Sequence, residues 1–99
     1  MKSSLDFDKI NGVALYALPV LLARWLPNGR RRGRRWHALN PLRNDHHIGS
    51  FSIDVTTGRW ADFATGETGG DVINLYAYLR NLGQGDAARE LARLLGITT

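Results

Sequence analysis

GSFSIDVTTGRWADF, residues 49–63, holds two strand-like segments around a single turn. Phe51, Ile53 and Val55 alternate with Ser52 and Asp54, the period of two that sends successive side chains to opposite faces of a half-buried strand. Thr57-Gly58 has the chemistry of a hairpin turn, and Arg59 to Phe63 reads as the returning strand. Upstream, Arg35 to Leu39 is a third strand-like segment. A loop separates it from the hairpin, opening at Asn40-Pro41 and running through Asp45, His46 and His47 to Gly49. Together these predict a small three-stranded antiparallel sheet.

The flanks read as helix. Over residues 6–26, Val13, Tyr16, Ala17, Val20, Leu21 and Arg24 recur at steps of three and four, while Leu15, Leu18, Leu22, Trp25 and Leu26 fill the other side. Pro19 lies inside that pattern, so it either kinks the helix or begins a second one at its first turn. Pro27-Asn28-Gly29 ends the segment. Past the sheet, Asp71 is an N-cap for a helix with the apolar stripe Val72, Leu75, Tyr76, Leu79 and Leu82. Gly83 and Gly85 break it, and Asp86 caps a second helix facing inward with Ala88, Leu91, Ala92 and Leu95, ended by Gly96. The expected fold is α+β: an N-terminal helix, a three-stranded antiparallel sheet and two C-terminal helices. The expected organisation is one domain over 1–99, with a leading helical segment (1–28), an arginine-rich connection (29–35), the sheet (36–66) and the helical pair (67–99).

Composition narrows the chemistry. A chain of 99 residues with 43% hydrophobic residues can build one modest core. With no cysteine there is neither a disulfide nor a thiolate metal site, so apolar packing has to hold the fold. The stretch from Val13 to Ala23 contains Pro19 and falls short of the roughly 20 apolar residues that span a bilayer. It also lacks a small-residue cleavage site of the secretory kind. No membrane association and a cytoplasmic location are therefore expected. The net charge of +4 conceals an asymmetry. From Lys9 to Arg43 there are eight cations and no acid, whereas the rest of the chain carries a net −4. A basic half of this kind suggests a polyanionic partner.

The ordered set "NPLR" (40–43), "GSFSI" (49–53), "GRWADFATG" (58–66), "GGDVINLYAYL" (69–79) and "AARELARLLG" (87–96) resembles a known family. It is the N-terminal zinc-binding ribbon of bacterial, phage and mobile-element DNA primases, and the resemblance covers about two-thirds of the chain, from Trp36 onward. That family reads Cys-Pro-x-His, a Ser-Phe strand, a hairpin to Cys-x-x-Cys, Gly-Gly-Asp with an apolar helix, and an Ala-x-x-Leu-Ala helix. The resemblance implies that the sheet is zinc-ribbon-like. It puts Asn40 and Arg43 at the first Cys and His positions, and Asp62 and Thr65 at the Cys-x-x-Cys. None of the four is a soft ligand and a guanidinium cannot bind a cation, so no zinc is expected although the spacing of both pairs is kept. The two knuckles should then be joined by polar contacts: Arg43 with Asp62, and Asn40 with a backbone group of the opposite knuckle. Mobile-element relatives share the leading helix, the arginine-rich turn and the Trp-x-Asp-Phe-Ala-Thr-Gly segment, usually ahead of a primase or helicase region. The resemblance thus implies template recognition or partner contact in a priming system.

Among the residues themselves, "GRRRGRRW" (29–36) is the strongest functional signal. Arg30, Arg31, Arg32, Arg34 and Arg35 can hold phosphates bidentately, and Trp36 could stack on an unpaired base. The plainer reading of the run is a solvated loop. Trp25, Trp36 and Trp60 read mainly as core, with Trp36 as the one suited to an exposed contact. His46-His47 beside Asp45 reads as a solvated loop and not as a metal site. Gly66 to Gly70 reads as a turn before an N-cap, lacking the lysine of a phosphate-binding loop. Asp54, Asp62 and Asp71 are scattered, and no nucleophile–base spacing is present, so no enzyme activity is expected of this chain and no cofactor. The expected function is a metal-free, non-catalytic domain that binds single-stranded or partly unpaired DNA and helps place a primase or helicase catalytic domain, of which it could itself be one end. The alternative is a protein-interaction module docking, or self-associating, through the 13–26 helix, with Val20, Leu22 and Trp25 as anchors.

Overall fold

The carboxylate of Asp6 accepts the Lys9 backbone N–H at 3.0 Å and starts α1 (Phe7–Tyr16) in the computed structural model, which describes residues 6–43 and 48–97. The expected loop residues Asp45, His46 and His47 lie outside the described residues. The single leading helix is corrected to two. α1 closes at Ala17, and α2 (Leu18–Trp25) begins with Pro19 in its first turn. A proline there costs nothing, because the amide it lacks would have had no partner within the helix.

The sheet has five strands and not three. β1 (Arg30–Arg32), β2 (Arg35–Ala38), β3 (Phe51–Asp54), β4 (Trp60–Asp62) and β5 (Glu67–Gly69) form an antiparallel meander in chain order. The arginine-rich connection is therefore a β-hairpin. Arg32 is opposite Arg35 across the two-residue turn Gly33-Arg34, with Gly33 at φ +60° and Arg34 on the ordinary side of φ. Glycine at the first central position is what a type II′ turn requires, and its twist matches that of the strands it joins. At the other edge, the expected glycine-rich loop supplies β5 before it reaches the Asp71 cap.

Two helices follow. α3 (Val72–Arg80) starts where Asp71 accepts the Asn74 N–H at 2.8 Å and ends at Asn81 in the left-handed region. α4 (Gln84–Leu94) is capped by Gly83, so Asp86 sits inside its first turn, where a negative charge faces the positive end of the helix dipole. The architecture is thus α+β with four helices and a five-stranded sheet among the described residues.

Phe51, Ile53 and Trp60 bring one face of the sheet against α3, where Trp60 and Phe51 meet the Tyr78 ring at 4.5 and 6.2 Å. Ile10, Leu18, Leu21 and Leu22 complete the core from α1 and α2, and Trp25 leans on Tyr76. The Asn11 side chain accepts the Ile73 N–H at 2.9 Å, tying α1 to the start of α3. The opposite face of the sheet, called the outer face below, carries the even-numbered residues of β3, Ser52 and Asp54, with their cross-strand partners. No helix of the described residues is long and apolar enough to cross a membrane.

Candidate nucleic-acid interface

Two short turns face each other at the end of the sheet. In one, the Arg43 N–H reaches the Asn40 carbonyl at 3.1 Å; in the other, the Thr65 and Gly66 N–H groups reach the Asp62 carbonyl at 3.3 and 2.8 Å. Between them lies the buried Asp62 carboxylate. Arg43 donates to both of its oxygens, Nε to Oδ2 at 2.9 Å and Nη2 to Oδ1 at 3.1 Å. The Asn40 amide donates to Oδ2 at 2.7 Å and to the Tyr78 hydroxyl at 2.8 Å, and the Ala64 N–H reaches Oδ1 at 2.9 Å. Burial alone would push the Asp62 pKa up, but the hydrogen bonds from Asn40, Arg43 and Ala64, with the Arg43 charge, hold it below the usual carboxylate value.

The Arg43–Asp62 pair expected from the resemblance is formed. Asn40 differs, because it crosses to a side-chain carboxylate and a phenol instead of a backbone group. Thr65 contributes only its N–H to Asp62, and its hydroxyl donates to Glu67 at 3.2 Å. Asn40, Arg43, Asp62 and Thr65 do not fit zinc: a guanidinium already occupies both oxygens of the one carboxylate among them.

The outer face gathers the positive charge. Register places Arg30 opposite His37 and Arg32 opposite Arg35, and His37 opposite Ser52, so Arg30, Arg32, Arg35 and His37 share this face. Like charges directly across a ladder repel, and the three arginines nonetheless share it and are exposed. Arg59 joins them; with Arg34, Arg35, Asp54, Thr57 and Ala61 it lines a hollow of about 260 Å³.

The five arginines of the run do not act alike. Arg34 donates to Asp54 at 2.9 Å through Nε and 2.6 Å through Nη2, while Thr56 and Thr57 also donate to that carboxylate. Those bonds overcome burial, and the Asp54 pKa is well below the usual range. Arg31 lies opposite Trp36 on the helix side of the sheet and donates to the Gly33 carbonyl at 2.8 Å.

Trp36 is opposite the buried Ile53, so its indole points toward the core and is half-buried, with its ring close over Gly29. Trp60 is buried and Trp25 half-buried. Phe63, expected only as the end of a strand or as packing for the metal-free knuckle, is the exposed aromatic here. One residue beyond β4 and still bonded to the Ser50 carbonyl at 2.7 Å, it continues the alternation of Ala61 on the outer face and is 68% exposed. Its position four residues before Glu67 in "WADFATGE" held the signal, since the alternation Trp60-in, Ala61-out, Asp62-in puts Phe63 out.

No protein-family model matches the chain, and no curated protein sequence matches it.

Proposed function

We propose that this chain is a non-catalytic, metal-free nucleic-acid-binding domain that engages single-stranded or partly unpaired DNA. Its role is to help place a primase or helicase catalytic domain on the template. One observation carries the reading: Arg30, Arg32 and Arg35 are held on one sheet face, arginine across from arginine. Asp54, the acid opposite Arg35, gives its carboxylate to Arg34, Thr56 and Thr57. Such an arrangement costs stability in the free protein and is relieved by a polyanion, whose phosphates contribute most of the affinity of a nucleic-acid complex. The resemblance to primase ribbons supports the DNA template as that polyanion, and the exposed Phe63 on the same face supports an unpaired strand, whose bases offer free faces for stacking.

The test is a titration with a short single-stranded oligonucleotide at two salt concentrations. The parent should bind at low salt and weaken steeply as salt rises. A variant carrying Arg30→Glu, Arg32→Glu and Arg35→Glu should lose binding while keeping its fold. An unchanged affinity in that variant would refute the reading.

A second reading, docking through the leading helices, is favoured by a separate observation. Val13, Tyr16 and Val20 are exposed, Tyr16 at 92% and Val20 at 64%. Of the anchors expected from sequence, Val20 is exposed but Leu22 is fully buried and Trp25 rests on Tyr76, so a partner would meet Val20 together with Val13 and Tyr16. Apolar docking of that kind barely responds to salt.

A further inference from the structure

Ser52 sits in the middle of the outer face, 1% exposed, and its hydroxyl has no hydrogen-bond partner among the described residues. Directly across the ladder, His37 likewise buries Nδ1 without a partner. Leaving a polar atom buried and unpaired costs a folded protein more than an average hydrogen bond contributes, so two such atoms on facing residues call for a reason. Neither Ser52 nor His37 is needed to fill the core, which lies on the other side of the strand with Phe51 and Ile53.

Resting on the nucleic-acid reading above, we propose that Ser52 and His37 form a phosphate seat at the centre of the basic face. The chemistry of the row supports an anion with several acceptor oxygens. The serine hydroxyl and an imidazole N–H can both donate, and Arg30 is the residue opposite His37 in the same row. Arg35, two residues from His37 on β2, and Arg32 across from it flank the seat on one side. On the other side the small side chain of Ala61 is opposite Ser52. A phosphate reaches the hydroxyl when His37 rotates, and the bond it makes satisfies a donor that has no partner among the described residues. The seat is thus unstable when empty and specific when filled.

This makes stability and affinity move in opposite directions, which a merely structural serine would not do. Ser52→Ala removes an unsatisfied group and should raise Tm by about 4 °C. The same change should weaken a single-stranded oligonucleotide on the order of tenfold, with the salt slope unchanged because no charge is lost. His37→Leu should repeat the loss of affinity and guards against a repacking effect peculiar to Ser52. Titration of inorganic phosphate alone separates the two sources of the ligand. A Ser52-dependent response to it marks free phosphate as an occupant, and a response confined to the oligonucleotide marks a phosphodiester. If Ser52→Ala lowers Tm, or binds both ligands as the parent does while the triple arginine variant has lost binding, the seat is refuted and the nucleic-acid reading stands. If the arginine variant binds like the parent, that reading falls first.

Discussion

The Arg43 guanidinium lies side-on to the Asp62 carboxylate, a two-bond contact between residues 19 positions apart that closes one turn of the chain onto another. Asp62 is fully buried and the Arg43 side chain is about a quarter exposed, so the pair is neither a surface ion pair of little consequence nor fully cut off from water. Asp62 is the hub, since Asn40, Arg43, Ala64 and Thr65 all donate to it.

Removing the hub should therefore cost more than removing a spoke. Asp62→Ala removes the buried carboxylate that accepts from Arg43, Asn40 and the Ala64 amide together, and a loss of about 3–5 kcal/mol is expected. Arg43→Ala leaves Asp62 with its Asn40 and backbone bonds and should cost about 1–3 kcal/mol. Urea unfolding of both variants checks the order; equal losses would show that the hub is shared evenly.

Elemental analysis of protein purified without chelator should find no zinc. The cation already in contact with Asp62 is a guanidinium, and no three His, Cys, Asp or Glu side chains among the described residues could hold a metal together. One zinc per chain surviving dialysis would overturn this.

Acid should unfold the domain in a defined direction. Asp54 and Asp62 are both held below the ordinary value in the fold, against the opposing effect of burial, by hydrogen bonds from Thr56 and Arg34 in one case and from Asn40 and Arg43 in the other. The unfolded chain takes up these protons near pH 3.9, before the folded state does. Their contribution is complete above that pH and is lost as the pH falls toward the folded values. Stability measured from pH 6 down to pH 2 should fall steeply below about pH 4, and Asp62→Asn should flatten the slope.

Gly69 is fixed by what lies on it. The Trp60 indole N–H donates to the Asn74 side chain at 3.0 Å directly above the Gly69 backbone, and an added Cβ would fall 1.7 Å from the Asn74 oxygen and 2.1 Å from the indole nitrogen. Gly69→Ala should cost about 1–3 kcal/mol by forcing that bond apart. Gly12→Ala provides the contrast: the site lies in α1 with nothing within 4 Å of an added methyl, and it should stabilise the domain by about 1 kcal/mol. Thermal melts of the two variants should move in opposite directions.

How much of this was legible in the sequence depended on whether a strand has to bury an apolar face. β3 does, and its Phe51–Ser52–Ile53–Asp54 alternation announced it. β1 is an edge strand of three arginines, whose hydropathy has no alternation to read, and β5 is Glu-Thr-Gly ahead of a helix cap. Pro19 marked the break between α1 and α2 but left its form open, because a proline suits a kink and a first turn equally. The Arg43–Asp62 contact could be anticipated only through the resemblance to the primase ribbons, which puts both residues at former ligand positions. The Asn40 contacts could not, since Tyr78 lies 38 residues away and reaches Asn40 only after α3 folds back over the sheet.

Strand alternation also decides which aromatic can meet a base, and the expectation differs from a reading of the arginine run alone. Trp36 follows that run directly, but its side of β2 is the side of Ile53; Phe63 is far from it in sequence and on the same face as Arg30, Arg32 and Arg35. Phe63→Ala should weaken a single strand by about 1–3 kcal/mol and a duplex of equal length much less, because paired bases have no free face. Trp36→Ala should chiefly lower stability, since its indole packs between the core and Gly29. The salt dependence should match the same geometry. Five arginines on phosphates would give a log–log slope of about −3.5 for a single strand and a loss of roughly 100-fold between 50 and 200 mM salt. With Arg34 held by Asp54 and Arg31 turned to the other face, three arginines give about −2, and Arg59 brings this to about −3. A measured slope near −3.5, or a single-strand affinity that survives Phe63→Ala but falls with Trp36→Ala, would place the bound strand along the hairpin and not across the outer face of the sheet.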